Sequence, residues 1–160
     1  MRILLAALLT LALMPLAQAA PDQPLTSRMD VYRIEIDADG RERAEAAEEI
    51  LPGELLEYRL NYENVSDAPL RALVITGPVP ANTDYVGGSA ATLVPSELVV
   101  SIDGGASFES EPVVRTRTAA DGSTEEYVVA PEEYTHVRWR SSQSLAAGVT
   151  QEFRYRVVVE

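Results

Sequence analysis

Two residue types are missing altogether from this 160-residue chain: cysteine and lysine. Without cysteine there are no disulfides, no thiolate catalysis, no Cys-held zinc or iron–sulfur centre and no lipid attachment through an N-terminal Cys. The absence is neutral on compartment, because an oxidising space permits disulfides without requiring them. Without lysine, all 13 positive charges are arginines. That excludes a Walker A lysine, a Schiff base and a Lys–Asn cross-link. Histidine is nearly absent too, with His136 alone. Positive charge is scarce overall: 25 acids outweigh the arginines, for a formal charge of −12, or −13 once Arg2 leaves with the segment described next. An acidic body with no basic stripe repels phosphate backbones and anionic lipid surfaces, so nucleic acid and membrane surface are not expected partners. The charge reads as solubility in an exposed compartment.

What is present is a globular composition, 46% hydrophobic and 24% charged. Residues 1–19 carry the pattern of a cleaved signal peptide. Arg2 is the positive start, Ile3 to Met14 the apolar run, Pro15 the break, and Ala17-Gln18-Ala19 the small-x-small cleavage site. Twelve apolar-run residues fall short of the ~20 needed to cross a bilayer, so export is expected rather than a membrane anchor. Residues 20–28, polar and proline-containing, read as a flexible lead-in. Residues 29–160 remain as one domain. The mature chain is long enough to bury roughly 68% of its unfolded surface without staples.

Period-two alternation then dominates. Tyr32, Ile34 and Ile36 share one face of a first strand, with Arg33, Glu35 and Asp37 on the other. Ala38-Asp39-Gly40 turns the chain. From Arg41 to Ile50 propensity favours helix, yet no apolar stripe exists to bury, so a return strand or irregular edge is expected, with a short helix as the alternative. After Pro52-Gly53, Leu56, Tyr58, Leu60 and Tyr62 alternate with Glu57, Arg59, Asn61 and Glu63, a strong strand pattern. A polar loop leads to a second apolar strand over residues 70–76, stopped by Gly77-Pro78-Val79-Pro80. Tyr85 and Val86 form a short strand. Two hairpins are predicted, residues 98–102 with 106–108 around Asp103-Gly104-Gly105, and residues 113–118 with 125–129 around Ala120-Asp121-Gly122. Two last strands cover residues 134–140 and 152–159. This makes about eight to ten strands with regular turns, an all-β, antiparallel sandwich.

The run Pro52-Gly53-Glu54, Tyr58, Asn64, Pro80, Tyr85-Val86 and Ser89 resembles the conserved-repeat domain of bacterial exported proteins, the domain of unknown function numbered eleven. Ser101 to Gly105 with Phe108, Val137-Arg138-Trp139, Leu145 to Gly148 and the terminal alternating strand extend the resemblance over residues 29–160. It implies an immunoglobulin-like β-sandwich in envelope or cell-surface proteins and supplies no catalytic residues. The chain departs from the family at Gly77, where an aspartate is usual before the proline-rich exit, so no role of that aspartate carries over.

Chemistry-bearing residues are sparse. A Ser–His–Asp triad or His-held metal rests on His136 alone, which alternation points away from the Trp139 face. The acidic pairs Glu48-Glu49, Glu125-Glu126 and Glu132-Glu133 read as solvated runs rather than a glycosidase dyad. Residues 35–40 invite a calcium reading. Laid on an EF-hand loop, Gly40 falls at position six, but Glu35 stands at position one and Ala46 where the bidentate Glu belongs. Asp37 and Asp39 remain as calcium candidates against a plain turn. Asn64-Val65-Ser66 is a glycosylation sequon in form only. Arg138, Arg140, Arg154 and Arg156 suggest a patch on one sheet face, or cross-strand ion pairs with Glu57 or Glu152.

The expectation is therefore an exported, non-catalytic β-sandwich module of the bacterial envelope, periplasmic or extracellular, with a structural or protein-binding role through an open sheet edge. Because Glu160 follows directly on the last predicted strand, no C-terminal membrane helix or sorting tail is expected. The alternative is a secreted carbohydrate- or calcium-binding accessory module. No cofactor other than calcium is a candidate.

Overall fold

A computed structural model describes residues 23–47 and 49–160. The predicted signal peptide lies outside the described residues. Eleven strands follow in order: β1 Leu25–Ile36, β2 Glu42–Ala46, β3 Leu55–Asn64, β4 Val74–Pro78, β5 Thr83–Tyr85, β6 Ala91–Thr92, β7 Ser96–Ser101, β8 Val114–Thr118, β9 Thr124–Val128, β10 His136–Ser141 and β11 Thr150–Val159. The only helical piece among the described residues is a 3-10 turn, Pro131–Glu133. No helix among them is long and apolar enough to cross a membrane.

All pairing is antiparallel. One sheet runs β2-β1-β3-β11-β5, with β6 also on β11; a second runs β4-β10-β7; and β8-β9 form a separate ribbon. The alternation in β3 and β11 dictates how the first two sheets meet. Leu56, Leu60, Phe153, Tyr155 and Val157 are buried on one face of the large sheet. From the small sheet, Trp139 on β10 packs against Phe153 (ring centroids 5.5 Å apart) and Tyr155 (6.3 Å). Tyr58, directly opposite Tyr155 on the neighbouring strand, stacks on it at 5.2 Å. Offset aromatic contacts of this kind add to the area they bury. The architecture is all-β with antiparallel sheets sharing one core, compatible with a β-sandwich.

Several boundaries differ from the sequence reading, each for a physical reason. Residues 25–28, assigned by composition to a flexible lead-in, are the start of β1 and pair with residues 61–64 of β3, anchored where Leu25 packs on the core. The stretch from Arg41 to Ile50 contains β2, a return strand, because Ala44 pairs with Ile34 across a turn that Asp37 ties together. The strand expected over residues 70–76 begins only at Val74. Leu70 instead bridges Leu145, and Ala72 takes a left-handed φ of 53° that no strand accommodates. It runs on through Gly77 and Pro78, because β4 is an edge strand where a missing N–H costs little. The expected hairpin arm at residues 106–108 is no strand. The chain returns to β7 through a single bridge, Val100 to Glu109. The ribbon over residues 114–128 stands as predicted.

Candidate functional site

The outer face of the large sheet carries an ionic cluster that spans three strands. Alternation puts Leu56 and Tyr58 inside and so turns Glu57 outward, yet Glu57 is 1% exposed. Arg59 Nε and Nη2 approach one carboxylate oxygen at 2.8 and 2.7 Å, and Arg156 Nε the other at 2.9 Å. Arg156 then grips both oxygens of Glu42 on β2 at 2.9 and 2.7 Å, and the Arg59 guanidinium lies 4.4 Å from the centre of the Tyr32 ring. Bidentate Arg–carboxylate pairing of this kind fixes geometry as well as adding energy. Burial pushes the Glu57 carboxyl up, but the two guanidiniums outweigh it and hold it below the usual range. Glu42 is likewise lowered by its hydrogen bonds to Arg156. The cluster ties β2, β3 and β11 together.

The single arginine patch suggested by the sequence is not formed. Arg154 and Arg156 belong to β11 of the large sheet, while Arg138 and Arg140 belong to β10 of the small one. The cross-strand pair with Glu57 is formed; Glu152 makes no ion pair among the described residues. On the small sheet the Arg138 guanidinium carbon sits 3.3 Å from the centre of the Phe108 ring, and its Nε donates to Thr76 at 2.9 Å. Phe108 also meets His136 edge-on, at 6.4 Å. His136 is half-buried on a central strand, its Nδ1 3.2 Å from Thr135 Oγ1, with no carboxylate paired to it among the described residues. Phe108 explains why the residue 106–108 arm leaves the ladder, and sequence alternation carries no sign of it.

Asp37 and Asp39 sit together at the β1–β2 turn. One Asp37 oxygen accepts the N–H groups of Asp39 and Arg41, each at 2.9 Å, and the other faces Arg43 Nε at 3.2 Å. Asp39 pairs with the Arg41 guanidinium. These donors, the Arg41 N–H first, lower the Asp37 carboxyl. Two arginines thus lie where a bound cation would have to enter. No group of three His, Asp or Glu residues among the described residues is placed to hold a metal. Asp103 does the same staple work in the Asp103-Gly104-Gly105 turn. Its carboxyl is held far below the usual range by the Ser107 hydroxyl and N–H and the Ser101 hydroxyl.

Asn64 is completely buried at the end of β3. Its Nδ2 donates to the carbonyls of Ala68 (2.8 Å) and Leu145 (2.9 Å), and its Oδ1 accepts the Ser66 N–H (3.0 Å) and hydroxyl (2.7 Å). The nitrogen a glycan would need is spent inside the core, so the sequon is closed in the folded chain.

No family model, no curated protein and no solved structure matches the chain. The geometry of its own surface therefore carries the functional argument. A groove of about 510 Å³ lies beside β11, walled by Thr92, Leu93 and Val94 on one side and Thr150, Gln151 and Glu152 on the other, with Arg154 at one end. Leu93 at its rim is fully exposed. A smaller groove of about 360 Å³ lies on the far side of Arg154, against Gly87, Gly88 and Ser89. The sequence signals only an open sheet edge in general; nothing in the pattern singles out Leu93 or Gln151.

Proposed function

We propose that the chain is an exported, non-catalytic β-sandwich module of the bacterial cell envelope, immunoglobulin-like in plan, that acts by binding a protein partner in the periplasm or outside the cell. The observation that carries the reading is where the polar side chains spend their bonds. Asp37, Asp103 and Asp121 staple turns, Asn64 ties two loops, and Glu57 joins β3 to β11 through Arg156. At the sheet margins, by contrast, β2 is exposed along its length, and among the described residues no strand pairs with β11 on one side at residues 150–152, where only the Glu152 carbonyl is taken, by Thr92 Oγ1. An open edge takes an extended segment by strand addition. The signal-peptide pattern of residues 1–19 supports export, and the resemblance to the conserved-repeat domain supports an envelope setting.

Crosslinking in intact cells followed by pull-down of the full-length chain should recover a specific envelope or surface protein. Recovery of nothing above a tagged control would count against partner binding. Fractionation of the same cells should place the mature chain, shortened at Ala19 or Ala20, outside the cytoplasm; an uncleaved cytoplasmic chain would sink the export reading.

A further inference from the structure

Not every edge is equally fit to receive a partner. β2 reads Glu-Arg-Ala-Glu-Ala, a charged edge of the kind that resists pairing. The β4 edge carries Pro78 and the kink at Ala72, and β7 is closed at Val100 by the Glu109 bridge. The margin of β11 is different. On this strand the even-numbered residues turn their N–H and C=O groups toward β5 and β6: Arg156 C=O accepts from Val86 N–H, and Glu152 C=O from Thr92 Oγ1 at 2.7 Å. β6 pairs with β11 only at Phe153 and Arg154, and at Leu93 the chain bends away. Thr150 and the Glu152 N–H are left facing the groove with no strand beside them among the described residues.

Three further observations point to a ligand there. Gln151 Oε1 is buried and has no hydrogen-bond partner among the described residues, which is costly unless a donor is supplied. Arg154 stands directly opposite Arg59 across the β11–β3 pair, a like-charge arrangement that is unfavourable by itself. Arg59 is neutralised by Glu57, whereas Arg154 makes no direct ion pair among the described residues and feels only the more distant Glu42. Glu152, two residues away on the same face, is likewise without a cation. The groove thus presents an unpaired plus and minus at strand spacing, beside an exposed leucine.

We propose that this groove receives an extended segment of a partner protein, added as a strand against residues 150–152, with a basic side chain on Glu152, an acidic one two residues further on that reaches Arg154 past the end of the pairing, where β6 already sits, and an apolar side chain against Leu93. The proposal rests on the partner-binding reading above and names the place and chemistry of that contact.

The test is a phage-displayed library of random octapeptides panned on the full mature chain, with synthetic versions of the enriched peptides titrated against it. Enrichment of peptides carrying an acid and a base two residues apart is expected. Such peptides should weaken by about tenfold or more on Arg154→Glu, and the double variant Glu152→Arg with Arg154→Glu should instead favour the charge-reversed peptide. Leu93→Asp should weaken binding in both backgrounds. All three positions are at the surface, and an unchanged thermal midpoint would confirm that the variants fold. No enrichment, or enriched peptides bound equally by the charge-swapped chain, would overturn the proposal. So would a concentration-dependent dimer abolished by Arg154→Glu, which would make a second copy the occupant. Cellular crosslinks that survive the charge swap would overturn the groove and leave the partner-binding reading standing.

Discussion

At the scale of single residues, Gly77 is the position where packing leaves no choice. A β-carbon there would lie 2.5 Å from Cε1 of Tyr155, whose ring is wholly buried and whose hydroxyl donates to the Pro78 carbonyl. Gly77→Ala should therefore cost about 2–3 kcal/mol by urea denaturation, an overpacking penalty. The cost should shrink when Tyr155 is also Leu; an equal cost in both backgrounds would show that Tyr155 is not the reason. The sequence marks Gly77 only as a departure from a resembling pattern, because nothing local reveals a ring arriving from residue 155. Ala72 tells the opposite story. It is exposed and holds a left-handed φ, so Ala72→Gly should raise stability by about 0.5–1 kcal/mol in the same assay. Asn64 was visible as the end of a strand, but its burial was not. Asn64→Asp replaces two donors by an acceptor facing the Ala68 and Leu145 carbonyls and should cost about 2–4 kcal/mol, read as a lowered denaturation midpoint with an unchanged slope.

At the scale of elements, strands that bury one face are legible by their alternation, whereas the exposed strands β2, β8 and β9 are legible only through the turns that precede or join them. β1, β3, β10 and β11 announce themselves by alternation, and the β8–β9 turn by Asp121-Gly122. β2 has all five residues exposed, so no hydrophobic period exists to read, and its place is decided by β1 and by ionic contacts. Those contacts make a pH prediction. Glu57 and Glu42 both titrate below their usual 4.5 in the folded chain, so their contribution is fully present above that value and is lost as pH falls through the lower folded-state values. Glu57→Gln should cost about 1–3 kcal/mol at neutral pH, discounted because Arg59 and Arg156 keep some contact with water. The gap between variant and parent should close below pH 4.5; a gap constant from pH 7 to pH 3 would mean that the carboxylate charge is not what holds the strands. Glu42→Gln should speed amide exchange across β2 far more than it lowers the global midpoint, since it releases only the outer strand of the sheet.

At the scale of the whole molecule, strand number was readable and strand neighbourhood was not. β3 and β4 are consecutive, yet β3 pairs with β1 and β11 while β4 crosses to the other sheet. That choice depends on Tyr58 meeting Tyr155 and Ile75 lying opposite Trp139, contacts between residues far apart in the chain. The same arrangement separates what folds from what hangs on it. Val113 and Val129 are each 1% exposed and joined by a Val129 N–H to Val113 C=O bond, which closes the core at the base of the ribbon. Beyond them, among the described residues, β8 pairs only with β9, and Val114 and Val128, opposite each other, both face solvent. A two-stranded ribbon of this kind is marginal by itself and adds little to the shared core. Replacing residues 116–126 with an Asn-Gly turn should therefore leave one cooperative thermal transition with a midpoint within about 5 °C of the parent. Val113→Ala or Val129→Ala, which opens a cavity where the ribbon joins the core, should cost about 1–3 kcal/mol. If the shortened chain instead loses cooperative melting, the ribbon is part of the folding unit, and the core as drawn between the two larger sheets is too small to stand without it.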